Sequence, residues 1–204
     1  MRTGVWSDKH GVTNNAFGGS NFEQFSHMFV RLKESNPDYY LASVSHWGPI
    51  NDAIVEMAHA AVHANSMEET ESAALDMLAV SELDGLFAQL DEVEHAGHTY
   101  GFDPSADEYL DAIEWSDEII GNLVDAIENR PTFTDEEWLI VVSTDHGGIG
   151  TSHGGASFEE RNIFSSLLFP NEELSAEYET WQSDPSNALN LNQSNLYGTR
   201  DSDV

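Results

Sequence analysis

Two short segments of this chain concentrate residue types that bind metal ions. The first is Glu94-His95-Ala96-Gly97-His98; the second is Asp145-His146-Gly147-Gly148, followed at His153 by His-Gly-Gly. Carboxylate and imidazole are the ligands that borderline cations such as Zn²⁺ prefer, and mixed sites of this kind leave positions open for substrate. Glycines beside the ligands let the backbone come close to a metal or a phosphate. Taken singly, each has a plain reading: a loop His is commonly solvated or hydrogen-bonded, and a Gly commonly marks a turn. Taken together, two such clusters at consecutive strand ends could hold two ions about 4 Å apart, the spacing that clamps an in-line phosphoryl displacement. The residue types alone leave the number of metals open.

The elements that must position these residues alternate between helix and strand. Phe22, Phe25, Phe29 and Leu32 recur at helical spacing, and that helix must stop before Pro37. A strand is expected at 39–45, helices at 51–64 and 67–80, and a strand at 85–90. Ser66 and Glu69 have the spacing of a capping box for the second of those helices. Ser105 and Glu108 offer a cap for a long helix with the stripe Tyr109, Ile113, Ile120, Leu123 and Ile127, ended by Pro131. The run 138–144 is uninterrupted and apolar, as in a strand buried on both faces of a parallel sheet, and it ends at Asp145. A last strand is expected at 163–168. From Pro170 to Val204 the chain is polar, with little to bury. The expectation is an α/β domain over 1–169 and a polar tail over 170–204. Both His-containing segments directly follow strands, where open α/β sheets place their sites.

Composition narrows the partners. The 204 residues include 37 Asp and Glu against 7 Lys and Arg, a formal net charge of −30. The acids are spread over helix surfaces, not gathered in one tail. Such a charge strains a compact fold through self-repulsion that salt relieves, so the chain reads as one adapted to high salt. Nucleic acid and anionic membrane are poor partners for it. There is no Cys, so disulfides and thiolate metal sites are excluded. The opening residues show no signal-peptide core, and the apolar runs are too short to span a bilayer.

The stretch EHAGHTYGF, the later EYLDAIEWSDEIIGNL and WLIVVSTDHGGIGTSHGG together resemble the alkaline phosphatase superfamily. The likeness is to its type I phosphodiesterase/nucleotide pyrophosphatase branch, and TGVWSDKHGVTNN (3–15) resembles the segment just after that family's nucleophile. The resemblance implies a mostly parallel sheet flanked by helices, two divalent metal ions (Zn first, Mn as the alternative) and a small-molecule phosphate ester as substrate. It implies one metal held by Glu94, His98 and His153 and a second held in part by Asp145 and His146. Asn15 matches the family's phosphate-contacting Asn; without the resemblance it reads as a turn residue.

Two departures from the family pattern stand out. The family has Asp where this chain has Glu94, whose extra methylene displaces the carboxylate by more than about 1 Å; Asp91 is the alternative donor, although it falls outside the family spacing. The resemblance also places the first strand, its metal-binding Asp and the Thr or Ser nucleophile upstream of Met1. Thr3 falls beyond the nucleophile position, and Thr144 reads as a residue supporting a ligand. The sequence is therefore expected to be a truncated hydrolase, inactive as it stands. The alternatives are a non-catalytic metal-binding remnant, sulfatase or phosphomutase chemistry on the same scaffold, and an acidic interaction protein whose His-Gly loops are coincidental.

Overall fold

The computed structural model describes residues 3–5, 7–53 and 55–171. A short helix α1 (Ser7–His10) leads through turns to α2 (Met28–Ser35). Then come β1 (Tyr40–Ser45), α3 (Pro49–Ala53), β2 (Ala60–His63), α4 (Met67–Leu78), β3 (Leu83–Gln89), α5 (Glu92–Tyr100) and α6 (Asp107–Glu128). The described part closes with β4 (Ile140–Ser143), α7 (Phe158–Arg161) and β5 (Ser165–Leu168). The polar tail expected from residue 170 lies, beyond Asn171, outside the described residues.

β1 is the centre of a parallel three-stranded sheet in the order β2-β1-β3. Its central place explains its burial: Leu41, Ala42, Ser43, Val44 and Ser45 are all inaccessible to solvent. Burying Leu41 or Val44 contributes about 1.5–3 kcal/mol each. The buried serines are satisfied, Ser43 Oγ donating to Asn51 Oδ1 at 2.7 Å and Ser45 Oγ to the Trp47 carbonyl at 2.8 Å. Behind the sheet, Ala42, Leu78, Leu83 and Ile127 form one core cluster, with Trp138 and Ile140 packed against it.

Local signals explain several boundaries. Ser66 Oγ accepts the Glu69 N–H and caps α4, while the Glu69 carboxylate takes the Asn65 N–H. Ser105 does not cap α6; its hydroxyl turns back to Asp103 Oδ1, and the N-cap is Ala106. The α6 face that is buried is Ala112, Ser116, Ile119 and Ile127, so Ile113 stays 40% exposed.

Two expectations about the sheet require correction. The helix expected over 51–64 shrinks to α3 (Pro49–Ala53), because residues 60–63 instead pair in parallel with β1 as β2. The apolar run 138–144 does not enter the parallel sheet. β4 pairs antiparallel with β5, and its alternate residues face out: Leu139 is 53% and Val141 55% exposed. Trp138 and Ile140 pack on the core while Leu139 and Val141 do not, a division that a continuous apolar run does not reveal.

Arg130 locks α6 to the start of the β4 region. Its side chain is almost wholly buried, donates to the carbonyls of Leu78, Val80 and Ser81, and pairs with Glu136 at 2.7 Å. The Glu136 carboxyl is held down to about 2, chiefly by that Arg130 hydrogen bond, with Thr132 and Trp138 also donating to it. A depressed carboxyl stabilises the fold at pH values above its unfolded value near 4.5, and that contribution is lost as pH falls towards 2. Glu136→Gln should cost roughly 3 kcal/mol at neutral pH, the low end for breaking a buried pair because Glu136 is partly exposed. Urea titrations should show the gap between parent and variant closing from pH 5 to pH 2; a gap that does not change with pH would contradict the assignment.

Candidate metal centre

Gln89, the last residue of β3, decides where α5 begins. Its Oε1 accepts the Trp47 N–H at 2.7 Å and the Ser45 hydroxyl, and its amide nitrogen donates to Asp91 Oδ1 at 2.7 Å. This clasp joins the carboxyl ends of β1 and β3 and sets Asp91 as the N-cap of α5. Asp91 also lies 3.4 Å from His95 Nε2. Asp91 is thus engaged by Gln89 and His95, and Glu94 is the carboxylate that meets the cluster.

Glu94 and His98 are one turn apart on α5, so both project from the same helix face. His153 reaches the same point from the loop after β4. One oxygen, Glu94 Oε1, lies 2.9 Å from His98 Nε2 and 2.7 Å from His153 Nε2. The three potential ligand atoms all lie within 4.8 Å of one another. His98 Nδ1 is 2.9 Å from the Thr151 carbonyl, which fixes that nitrogen as the donor and turns Nε2 towards Glu94. An imidazole lone pair cannot face a carboxylate oxygen at this distance without a proton or a cation between them. The Thr151 carbonyl first, and then the Glu94 charge, hold the His98 pKa above its ordinary value, against the effect of burial. Two imidazoles crowd one carboxylate oxygen, so a single cation about 2 Å from each donor would satisfy all three. The donor set fits a zinc-type ion. The site opens to solvent, with the His98 side chain 45% exposed.

Asp145 and His146 lie beside this cluster without joining it. The His146 ring stacks on His153, centroids 3.9 Å apart and 17° between planes. His146 Nδ1 is 2.9 Å from the Gly147 carbonyl, leaving Nε2 on the side of Asp145, 3.7 Å from Oδ2. The Asp145 side chain is 83% exposed. Asn15 sits in an exposed turn closed by the Asn14 side chain and carbonyl, and no hydrogen bond ties it to the cluster.

Phe102 was not legible as a site residue, yet it holds the two segments together. Its N–H donates to the Gly150 carbonyl at 2.7 Å, and its ring contacts His98, His153 and Tyr109 edge-on. The ring fills the space that a Cβ would need at Gly97 on α5 and at Gly148 in the Asp-His-Gly-Gly turn. Close approach is therefore why both positions are glycine. Tyr109, read from the sequence as part of an apolar stripe, is held above its ordinary pKa by burial and then by the Glu94 charge, which places its hydroxyl in the field of the centre. Gly148→Ala should push Phe102 off His153 and cost about 1–3 kcal/mol. In a double-mutant cycle, Phe102→Ala should relieve most of that cost; strictly additive losses would show that the ring does not impose the glycine.

The type I phosphodiesterase / nucleotide pyrophosphatase family profile matches residues 5–203, a span that includes every ligand candidate described above. No curated protein matches the chain. The parallel sheet flanked by helices is consistent with the alkaline-phosphatase-like fold. By the extent of that match, the chain belongs to the type I phosphodiesterase / nucleotide pyrophosphatase family.

Proposed function

We propose that Glu94, His98 and His153 hold a divalent ion, zinc in the first instance and manganese as the alternative. On this reading the centre is that of a hydrolase of small-molecule phosphoric esters. The observation that supports it is the convergence of two imidazole nitrogens on one Glu94 oxygen. Asp145 and His146 would contribute to a second ion, the exposed Asp145 carboxylate giving up its bond from the His146 N–H to turn towards it. Asn15 would contact the substrate phosphate.

A bound divalent ion supplies Lewis-acid polarisation of a phosphoryl oxygen and neutralises its charge. The residues of this chain do the rest. Thr151 fixes the tautomer of His98, so that its second nitrogen is presented as a lone pair. Phe102 and the His146–His153 stack pack together on one side of the centre. Gly147 and Gly148 let the turn that carries His146 pack against the Glu159 carbonyl and the Phe102 ring. Among the described residues, the hydrogen-bond partners found at Glu94 and His98 are each other, His153 and a backbone carbonyl, and none of these is a nucleophilic hydroxyl. The chain by itself is therefore expected to turn over phosphodiesters little or not at all.

Calorimetric titration of the metal-free protein with Zn²⁺ in high salt should show tight binding. Alanine at Glu94, His98 or His153 should weaken it by at least about 100-fold, more than loss of a supporting residue costs. Absence of zinc binding by the parent would remove the basis for the hydrolase reading. Strong metal-dependent hydrolysis of bis(p-nitrophenyl) phosphate would instead overturn the expectation of little or no turnover. The spread of acidic charge further suggests a high-salt protein: its melting temperature should rise between about 0.1 M and about 2 M KCl, as screening shortens from about 10 Å to below 3 Å. A flat or falling curve would count against it.

A further inference from the structure

The two His-bearing turns of the centre converge on a residue that is not a candidate ligand. Glu160 lies in α7, beyond both turns in sequence. Its carbonyl accepts the Gly147 N–H at 2.9 Å, in the turn that carries His146. Its carboxylate Oε1 accepts the Gly155 N–H at 2.7 Å, two residues after His153. The other oxygen, Oε2, accepts the Ser157 N–H at 3.1 Å, and Ser157 Oγ accepts the Glu160 N–H in return, completing a capping box. The backbone around these bonds has no slack. A Cβ on Gly147 would collide with the Glu159 carbonyl, and one on Gly155 with the Glu160 carboxylate itself. Gly154 between them has φ 96°, a conformation that favours glycine.

We propose that Glu160 is a positioning residue that sets His153 against Glu94 and His146 by tying both turns to a single helical turn. This rests on the reading of Glu94, His98 and His153 as a metal centre. Glu160 is not a ligand, since its carboxylate oxygens are both engaged by backbone N–H groups. Its main-chain bond to Gly147 survives any substitution; its side-chain bond to Gly155 does not. Loss of the carboxylate therefore frees the His153 turn while leaving the His146 turn attached, so the His146–His153 stack and the shared Glu94 contact should both loosen. The Ser157 side chain first, and then the Gly155 and Ser157 N–H groups, also hold the Glu160 carboxyl below its ordinary value.

The test uses the full chain, Co²⁺ as the metal and three variants: Glu160→Ala, Glu160→Gln and Ser157→Ala. Glu160→Ala should lower Co²⁺ affinity about 10–100-fold and change the visible absorption of the bound ion, as loss of a supporting contact does. Glu160→Gln keeps one acceptor oxygen and should fall between parent and Ala; it also serves if the Ala variant does not fold. Ser157→Ala removes the helix cap but leaves the Gly155 bond, so it should lower the melting temperature with the Co²⁺ spectrum unchanged. A Ser157→Ala spectrum altered as much as that of Glu160→Ala would overturn the proposal, since capping alone would then account for the effect. Parent-like affinity and spectrum in both Glu160 variants would also overturn it. A metal-free arm separates this proposal from the metal reading: in the apo protein, the His153 ring resonances and Gly155 amide protection should change in the Glu160 variants. If the parent binds no Co²⁺ but those signals change, the metal reading fails and the positioning role stands; if they do not change, the positioning role fails.

Discussion

One carboxylate oxygen sets the terms for this end of the molecule. Glu94 Oε1 meets His98 and His153 at hydrogen-bond distance, and each imidazole needs a proton or a cation to make that contact favourable. The Thr151 carbonyl takes one option away from His98 by claiming Nδ1, so the charge needed at Nε2 must come from outside the neutral ring. An arrangement that leaves two lone pairs aimed at an anion is costly without a cation and favourable with one. In a chain of net charge −30, positive charge at this point is also favoured by the long-range field.

The fold supplies what that contact requires. The Gln89 clasp ends β3 and begins α5, so the Glu94–His98 face is fixed relative to the carboxyl ends of β1 and β3. The second half of the centre arrives on a loop after β4, which lies outside the parallel sheet and shares little packing with α5. Phe102 bridges that division, its ring filling the space at Gly97 and Gly148 and its N–H bonded to Gly150. Glu160 fastens the far side of the same loop. The histidines are thus held less by the sheet than by one aromatic ring and one carboxylate.

Much of this was legible in the sequence, for identifiable reasons. The i,i+4 spacing of Glu94 and His98 puts them on one face of any helix, and the Gly-rich His segments after two strands marked the same end of the domain. The strands at β1 and β3 and the Ser66 cap followed from period and cap chemistry. The pairing of β4 was not legible, because a run of apolar residues carries no record of which face meets the core. β2 was missed because Ala60, Ala61 and Val62 suit either state, and only β1 beside them decides it. Tyr109 read as part of an apolar stripe, and Phe102 carried no role of its own within the EHAGHTYGF segment, since the importance of both comes from contacts across the fold. Glu160 did leave a signal: Ser157 and Glu160 have capping-box spacing just after His-Gly-Gly. The bond from its carboxylate to Gly155 is what the spacing alone does not disclose.

The central claim is that one ion binds among Glu94, His98 and His153. Anomalous scattering at the zinc edge from a crystal grown with Zn²⁺ tests it most directly. The expected result is a peak about 2.0–2.2 Å from Glu94 Oε1, His98 Nε2 and His153 Nε2. A fully occupied zinc elsewhere, with those three side chains still bonded to one another, would contradict it.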